Sequence, residues 1–308
     1  MIEYDQDFIK EEYRSGWLVT TLVKKSWWIQ LDVLKEFARV CKENGLRWYP
    51  IGGILIGVIR HKGFIPWDDD IDIAMPREDY DKLEEACKKS LKYPYEFQST
   101  FTDPDCFMFW SSIRNSETTG NRVTCLSKRL NNGIGIDILP LEGCEDNYYF
   151  YKLRRLPLRI ASVICNTYVN EFNNTTKARM LRSVLRKFKI NYRSIYRWVE
   201  KHNSKHPMSK YNKCTLTLIA DPIVQTKEGL RRVIWDKADF ESTIMMPFEN
   251  TEIPVPAGYD HILTTEYHNY MEFPPIEKRK GKHDIVLEPD IPYKEYCSKN
   301  YGVVYDKE

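Results

Sequence analysis

The spacing of apolar positions changes period several times along the chain, and each change marks an element. Residues 27–44, WWIQLDVLKEFARVCKEN, put Leu31, Leu34, Phe37, Ala38 and Cys41 at helical spacing, with Gly45 where a C-cap belongs. A short strand over about 46–51 runs into Gly52-Gly53, and ILIGVIRH follows as a buried helical turn or two. After the loop KGFIPW comes a strand, DIDIAM, and Pro76 introduces a second amphipathic helix over about 77–91. Further strands are expected at 95–101, 106–114, 122–127 and 133–139, the last alternating Ile134, Ile136 and Ile138 with Asp137 on the other face. The order helix, strand, helix, strand, helix predicts an α/β or α+β fold, a mixed sheet flanked by helices.

From about 147 to 206 the pattern is helical and strongly basic, and 214–275 returns to mixed structure. The tail, PPIEKRKGKHDIVLEPDIPYKEY, is rich in proline and charge. The division expected is a core over 1–146, a basic helical insert over 147–213, and a part over 214–308 that completes the core.

Composition narrows the class. The 308 residues are 42% hydrophobic and 29% charged with a net charge of +2, which suits a buried core and argues against wholesale wrapping of nucleic acid. The N-terminus, MIEYDQDFIKEEYRSGW, is acidic where a secretory signal is basic and then apolar, and no apolar run approaches the ~20 residues of a membrane span. The eight cysteines form no CxxC or Cys/His pattern, so free thiols in a reducing compartment are expected. The sequons at Asn173 and Asn174 then carry no glycan, and a cytoplasmic protein is expected, with peripheral contact at the inner face of the membrane as an option.

The candidate chemistry lies in GGILIGVIRHKGFIPWDDDIDIAMP, where Asp68, Asp69, Asp70 and Asp72 crowd into five positions beside apolar residues. On a strand, residues i and i+2 share a face, so Asp70 and Asp72 point one way and Ile71 and Ile73 the other, with Asp68 joining the acids if the strand starts early. Asp69 is expected to face elsewhere. Desolvated carboxylates repel unless a cation neutralises them, and hard oxygen ligands suit Mg²⁺ or Mn²⁺. An exposed acidic turn is the plain alternative, but the isoleucine alternation argues for a half-buried strand. Asp137, on a predicted strand among isoleucines, is the partner such a site requires.

Gly52-Gly53 before an apolar helix allows close approach of a phosphate to helical N–H groups, or is simply a turn. The spacing is neither a dinucleotide fingerprint nor a P-loop, since Val58 stands where lysine is needed. Arg60 and His61 at the end of that helix either face phosphate or form a solvated helix end.

Gly-Gly, then hydrophobic-Asp-hydrophobic-Asp-hydrophobic, then a third acid on a later strand resembles the nucleotidyltransferase superfamily. The run GGILIGVIRHKGFIPWDDDIDIAMPREDYDKL, with IGIDILPLEG, FENTEIPVPAGYDHIL and PPIEKRKGKH, resembles the LicD family over roughly 25–143 and 235–283. The same domain is similar to that of the fukutin-type ribitol-phosphate transferases. The resemblance implies a nucleotidyltransferase-like fold and transfer of phosphocholine, or another phospho-alcohol, from CDP-choline or another CDP-alcohol. The acceptor implied is a hydroxyl of a cell-surface glycan or lipid-linked glycan, such as lipopolysaccharide, teichoic acid or capsule.

It further implies metal ligation by Asp70, Asp72 and Asp137, with Asp68 as an addition, and a general-base role for Asp137. Gly52, Gly53, Arg60 and His61 would lie against donor phosphates. Lys278, Arg279 and His283 would approach a phosphate or the acceptor, or form a solvated basic tail. Two departures bear on donor fit: Gly-Gly replaces the family's Gly-Thr, and Tyr267-His268 replaces its Tyr-Gly.

Between 150 and 240, lysines and arginines outnumber acids by 20 to 6. Such a surface suits an anionic acceptor or an anionic leaflet, or is an exposed helical face packed through Leu181, Val184, Leu185 and Phe188. No nucleic-acid-binding module accompanies it, and nucleic acid is not expected as a partner. Nucleotidyl transfer from a nucleoside triphosphate and a catalytically silent nucleotide-binding protein remain as rival readings.

Overall fold

A computed structural model of the chain describes residues 2–169, 175–187, 191–216, 226–279 and 284–305. Near the N-terminus, β1 (Glu12–Arg14) and β2 (Trp17–Val19) form an antiparallel hairpin. Thr20 then caps α1 (Thr21–Asn44), its hydroxyl accepting from the Val23 N–H, and Gly45 closes the helix in the left-handed conformation. The helix starts well before Trp27 because a threonine cap, not an apolar residue, sets its first turn. Trp27, Leu31, Leu34, Phe37 and Cys41 form its buried face.

Next come β3 (Tyr49–Pro50), α2 (Gly52–Ile56) with a π-helical turn over Gly57–His61, and β4 (Asp72–Pro76). Pro76 ends the strand and is the N-cap of α3 (Arg77–Ser90). Then follow β5 (Tyr95–Gln98), β6 (Ser111–Asn115), β7 (Thr119–Arg122) and β8 (Ile134–Cys144). The basic stretch is helical as expected: α4 (Tyr148–Val169), α5 (Thr176–Lys187) and α6 (Tyr192–Asn203). Beyond it lie β9 (Lys213–Leu216), α7 (Lys227–Arg232), β10 (Ile234–Asp236), the hairpin β11 (Thr243–Phe248) and β12 (Thr251–Pro256), α8 (Tyr259–Tyr267), β13 (Ile285–Glu288) and α9 (Tyr293–Tyr301).

Among the described residues one mixed sheet of seven strands organises the molecule, with β8 as its spine. β4 runs parallel to β8 along one edge, and β6 and β9 pair antiparallel along the other. β3, β5 and β10 extend the sheet outward. The α/β architecture is therefore the one the periodicity indicates. Ile73, Ala74, Met75, Ile136, Ile138 and Leu141 are all buried in its core.

Several boundaries differ from expectation. The strand expected at 122–127 is instead a run of turns after β7, where Leu126 is buried without any ladder partner. The strand expected at 106–114 begins only at Ser111, and β8 runs on through Pro140 to Cys144. Pro140 lacks an N–H, but β4 continues the parallel pairing past it with Met75 opposite.

Arg77, at the start of α3, is fully buried and meets three carboxylates: Glu142 of β8 at 2.5 Å, Glu200 of α6 at 2.8 Å and Asp81 at 3.1 Å. It pins α6 to the sheet. Phe109, Leu158, Cys165, Tyr196 and Val199 form a second apolar cluster there. The stripe expected on α5 is split: Leu185 is buried and Val184 exposed, while Phe188 and the side chain of Leu181 lie outside the described residues. Asn173 and Asn174 also lie outside them. All eight cysteines are free thiols, seven of them buried. No helix among the described residues is long and apolar enough to cross a membrane.

Candidate active site

β4 starts at Asp72, so Asp68, Asp69 and Asp70 belong to the loop that leads into it. That corrects the expectation of a strand carrying both Asp70 and Asp72. Outside a strand, strict alternation does not hold, and Asp69 does not turn away: carboxylate oxygens of Asp68, Asp69 and Asp70 lie within 4.8 Å of one another. The loop is fixed from both sides. The Asp68 N–H donates to the Ile65 carbonyl at 2.9 Å, and the Gln30 amide of α1 donates to the Asp69 carbonyl at 2.9 Å.

Asp72 and Asp137 face each other in register across the parallel pair β4 and β8, and the Asp137 N–H donates to the Ile71 carbonyl at 3.0 Å. Paired residues on adjacent strands project from the same face, so these two carboxylates are neighbours. β6 supplies the next layer. Ser112 lies opposite Asp137, its hydroxyl donating to Asp137 Oδ1 at 2.6 Å, and Arg114 donates to the same oxygen at 3.1 Å. Neither contact uses Oδ2. A cleft of about 80 Å³ opens here, lined by Gln30, Asp69, Asp70, Arg114, Arg122 and Asp137.

The glycines shape the opposite side of the acids. Gly52 has φ +57°, a conformation that L side chains rarely adopt. A Cβ on Gly53 would sit 2.0 Å from Asp68 Oδ2, so only glycine leaves room for that carboxylate. Asp68 itself is only 7% exposed. The Tyr267 hydroxyl lies 3.5 Å from where a Gly52 Cβ would be. Two-fifths of Tyr267 is exposed, but its phenol end is desolvated. Burial, and after it the carboxylates of Glu266, Asp68 and Asp72, pushes the phenol well above its usual range.

Arg60 and His61 do not form a solvated helix end. Arg60 donates to the carbonyls of Tyr270 at 2.7 Å and Glu272 at 2.9 Å, and lies over the Phe273 ring. His61 stacks on Phe273 and meets Trp67 edge-on. Arg279 lies over both Trp67 and Phe273 and donates to the carbonyls of Pro274 and Ser15. Arg60 and His61, with the sequence-distant Arg279, thus gather around two rings, and Trp67 is the residue before Asp68. Burial and the neighbouring Arg279 push Arg60 down from its usual value. Burial, then Arg60 and Arg14, lowers His61 to about 4. Lys278 is exposed, and His283 lies outside the described residues.

Ser112, Arg114, Gln30 and Tyr267 were not among the expected site residues. The signal for two of them is present, since Ser112 and Arg114 flank Ile113 at period two. Nothing in the sequence links Gln30 to the acids, and Tyr267 figures there only within a departure bearing on donor fit; both arrive from distant helices.

Residues 45–158 match the family described as LicD/FKTN/FKRP, nucleotidyltransferase domain. The chain is 26% identical over 265 residues to lipopolysaccharide cholinephosphotransferase LicD of Haemophilus influenzae, covering 82% of this chain and 92% of that protein. It also matches uncharacterized proteins of Rickettsia prowazekii and Rickettsia typhi, 35% and 36% identical over 48 residues, or 16% of this chain and 18% and 16% of theirs. The acidic loop, β4, β6 and β8 all fall within the matched range, and the chain carries a LicD-family nucleotidyltransferase domain.

Proposed function

We propose that the chain is a divalent-metal-dependent phosphotransferase. It moves a phospho-alcohol group, most simply phosphocholine, from a CDP-linked donor to a hydroxyl of a cell-surface glycan or glycolipid precursor. The observation that carries this reading is the in-register pair Asp72 and Asp137 beside the Asp68–Asp70 loop, within a domain of this family. The name of the Haemophilus influenzae relative supports phosphocholine as the group and a glycolipid as the acceptor.

The donor set fits Mg²⁺ or Mn²⁺. It consists of carboxylate oxygens, three of them already within 4.8 Å of one another, and Gly53 leaves space for Asp68. Asp70 and Asp72, with Asp68 and Asp137, would hold the ion, which when bound neutralises phosphate charge and polarises the phosphoryl group. The side chains around it do the rest. Gly52 and Gly53 allow the backbone to approach donor phosphates at the start of α2. Arg60 and Arg279 offer two guanidiniums, and among the described residues neither meets a carboxylate.

Ser112 and Arg114 hold Asp137 by Oδ1, so the carboxylate cannot rotate freely. Its Oδ2 takes the proton of the acceptor hydroxyl. The hydroxyl oxygen then bonds to the phosphorus that carries the choline, and CMP leaves with the electrons of the broken phosphoanhydride bond. Tyr267, whose phenol stays protonated and hydrogen-bonded to Glu266, borders the site at the Gly52 side.

Product analysis tests the reading. With CDP-choline, Mg²⁺ and a glycolipid acceptor, the acceptor gains phosphocholine and one CMP appears for each transfer. An acceptor that gains a nucleotide from a nucleoside triphosphate would instead establish nucleotidyl transfer. Binding of CDP-choline with no turnover on any acceptor would establish a silent nucleotide-binding protein.

A further inference from the structure

The surface most at odds with an ordinary soluble exterior is the outer seam of α4. Tyr149, Leu153, Leu156, Ile160 and Val163 are 67%, 67%, 51%, 55% and 59% exposed. Their spacing of four, three, four and three residues sets them on a single stripe of the helix. Phe150, 66% exposed, widens the stripe. The opposite face of α4 is the one that packs inward, through Leu158, Ala161 and Cys165. A contiguous row of large apolar side chains of this kind marks an interaction surface.

Charge decides what covers it. Over 148–187 the chain has nine lysines and arginines and a single acid, Glu171. Lys152 and Arg159 lie beside the stripe, the first exposed and the second half-exposed, and Arg179 and Lys187 of α5 are exposed as well. A second copy of this chain packed on the stripe in antiparallel or parallel fashion would bring these cations together with no acid of α4 to pair them. An anionic lipid surface accepts both features, taking the apolar row below its headgroups and the cations among its phosphates.

We infer that α4 is an interfacial helix that seats the protein on an anionic bilayer, with Tyr149, Leu153, Leu156, Ile160 and Val163 inserted. This docking is independent of the chemistry at the acidic cleft. It needs only that the outer face of α4 stay exposed, as it is here.

Vesicle flotation with the full chain tests it. The protein floats with vesicles of equal parts phosphatidylglycerol and phosphatidylcholine, floats much less with phosphatidylcholine alone, and loses binding as salt rises. Leu153→Glu and Ile160→Glu each lower binding by at least about tenfold, while keeping the wild-type circular dichroism spectrum, because both sites are exposed. Met245→Glu, a change at an exposed apolar residue of β11, leaves binding unchanged. Wild-type protein that ignores both vesicles, or a Leu153→Glu variant that floats as well as wild type, would overturn the inference. So would a dimer in sedimentation velocity that Leu153→Glu abolishes, since the stripe would then cover a second copy.

Discussion

Asp137 is held by one oxygen, and the proposed reaction uses the other. Ser112 and Arg114 both contact Oδ1, so replacing the carboxylate by an amide keeps a partner for Ser112 but removes the base. Asp137→Asn is therefore expected to lower turnover by roughly 100-fold to 10,000-fold with an unchanged unfolding midpoint, measured by CMP release and thermal denaturation. His268 makes a different point. Its backbone has a glycine-like conformation, φ +61° and ψ −97°, at the C-cap of α8. Such a conformation strains a residue with a Cβ. His268→Gly should stabilise the fold by about 1 kcal/mol, seen as a higher urea midpoint at unchanged m-value.

At the scale of elements, three connections hold the site together: the α1 contact to the acidic loop, the β4–β8 register, and the Arg77 hub. The hub is the most vulnerable. Arg77→Met leaves Glu142 and Glu200 without their cation in a buried setting, and a loss of about 3–5 kcal/mol is expected in chemical denaturation. Much of this level was legible in the sequence. The helix before Gly45, the Pro76 boundary, the strand around Asp137 and the Gly-Gly turn all announce themselves through local periodicity and backbone chemistry. What was not legible depends on distance along the chain. That Asp72 would face Asp137 in register, that Arg114 would pair with it, and that Arg279 would reach Trp67 are consequences of packing. The reading of Asp69 failed for a local reason, because period-two logic was carried into a loop where no strand imposes it.

For the whole molecule, two imidazoles couple stability to pH. Burial first, then neighbouring cations, lowers His61 and His206 from 6.5 to about 4. Between these values the unfolded chain binds protons that the folded chain does not. Stability is then full above about pH 6.5 and declines as pH falls toward 4, so the urea midpoint at pH 5 should lie below that at pH 7. His61→Gln should flatten part of that decline. The larger arrangement divides labour between faces, with acids at the edge where β4, β6 and β8 meet and an apolar, cation-flanked helix outside the fold. In the proposed function the first would hold the donor, and in the further inference the second would rest on a membrane.

In the proposed function the acids act together to hold metal and a CDP-alcohol. A thermal-shift panel of CDP-choline, CDP-ribitol, CDP-glycerol and nucleoside triphosphates, each with and without Mg²⁺, tests it most directly. A clear rise in melting temperature is expected for a CDP-alcohol with Mg²⁺, a much smaller one without the metal, and none in Asp70→Ala. A rise with nucleoside triphosphates and none with any CDP-alcohol, or a metal-independent rise that Asp70→Ala retains, would contradict it.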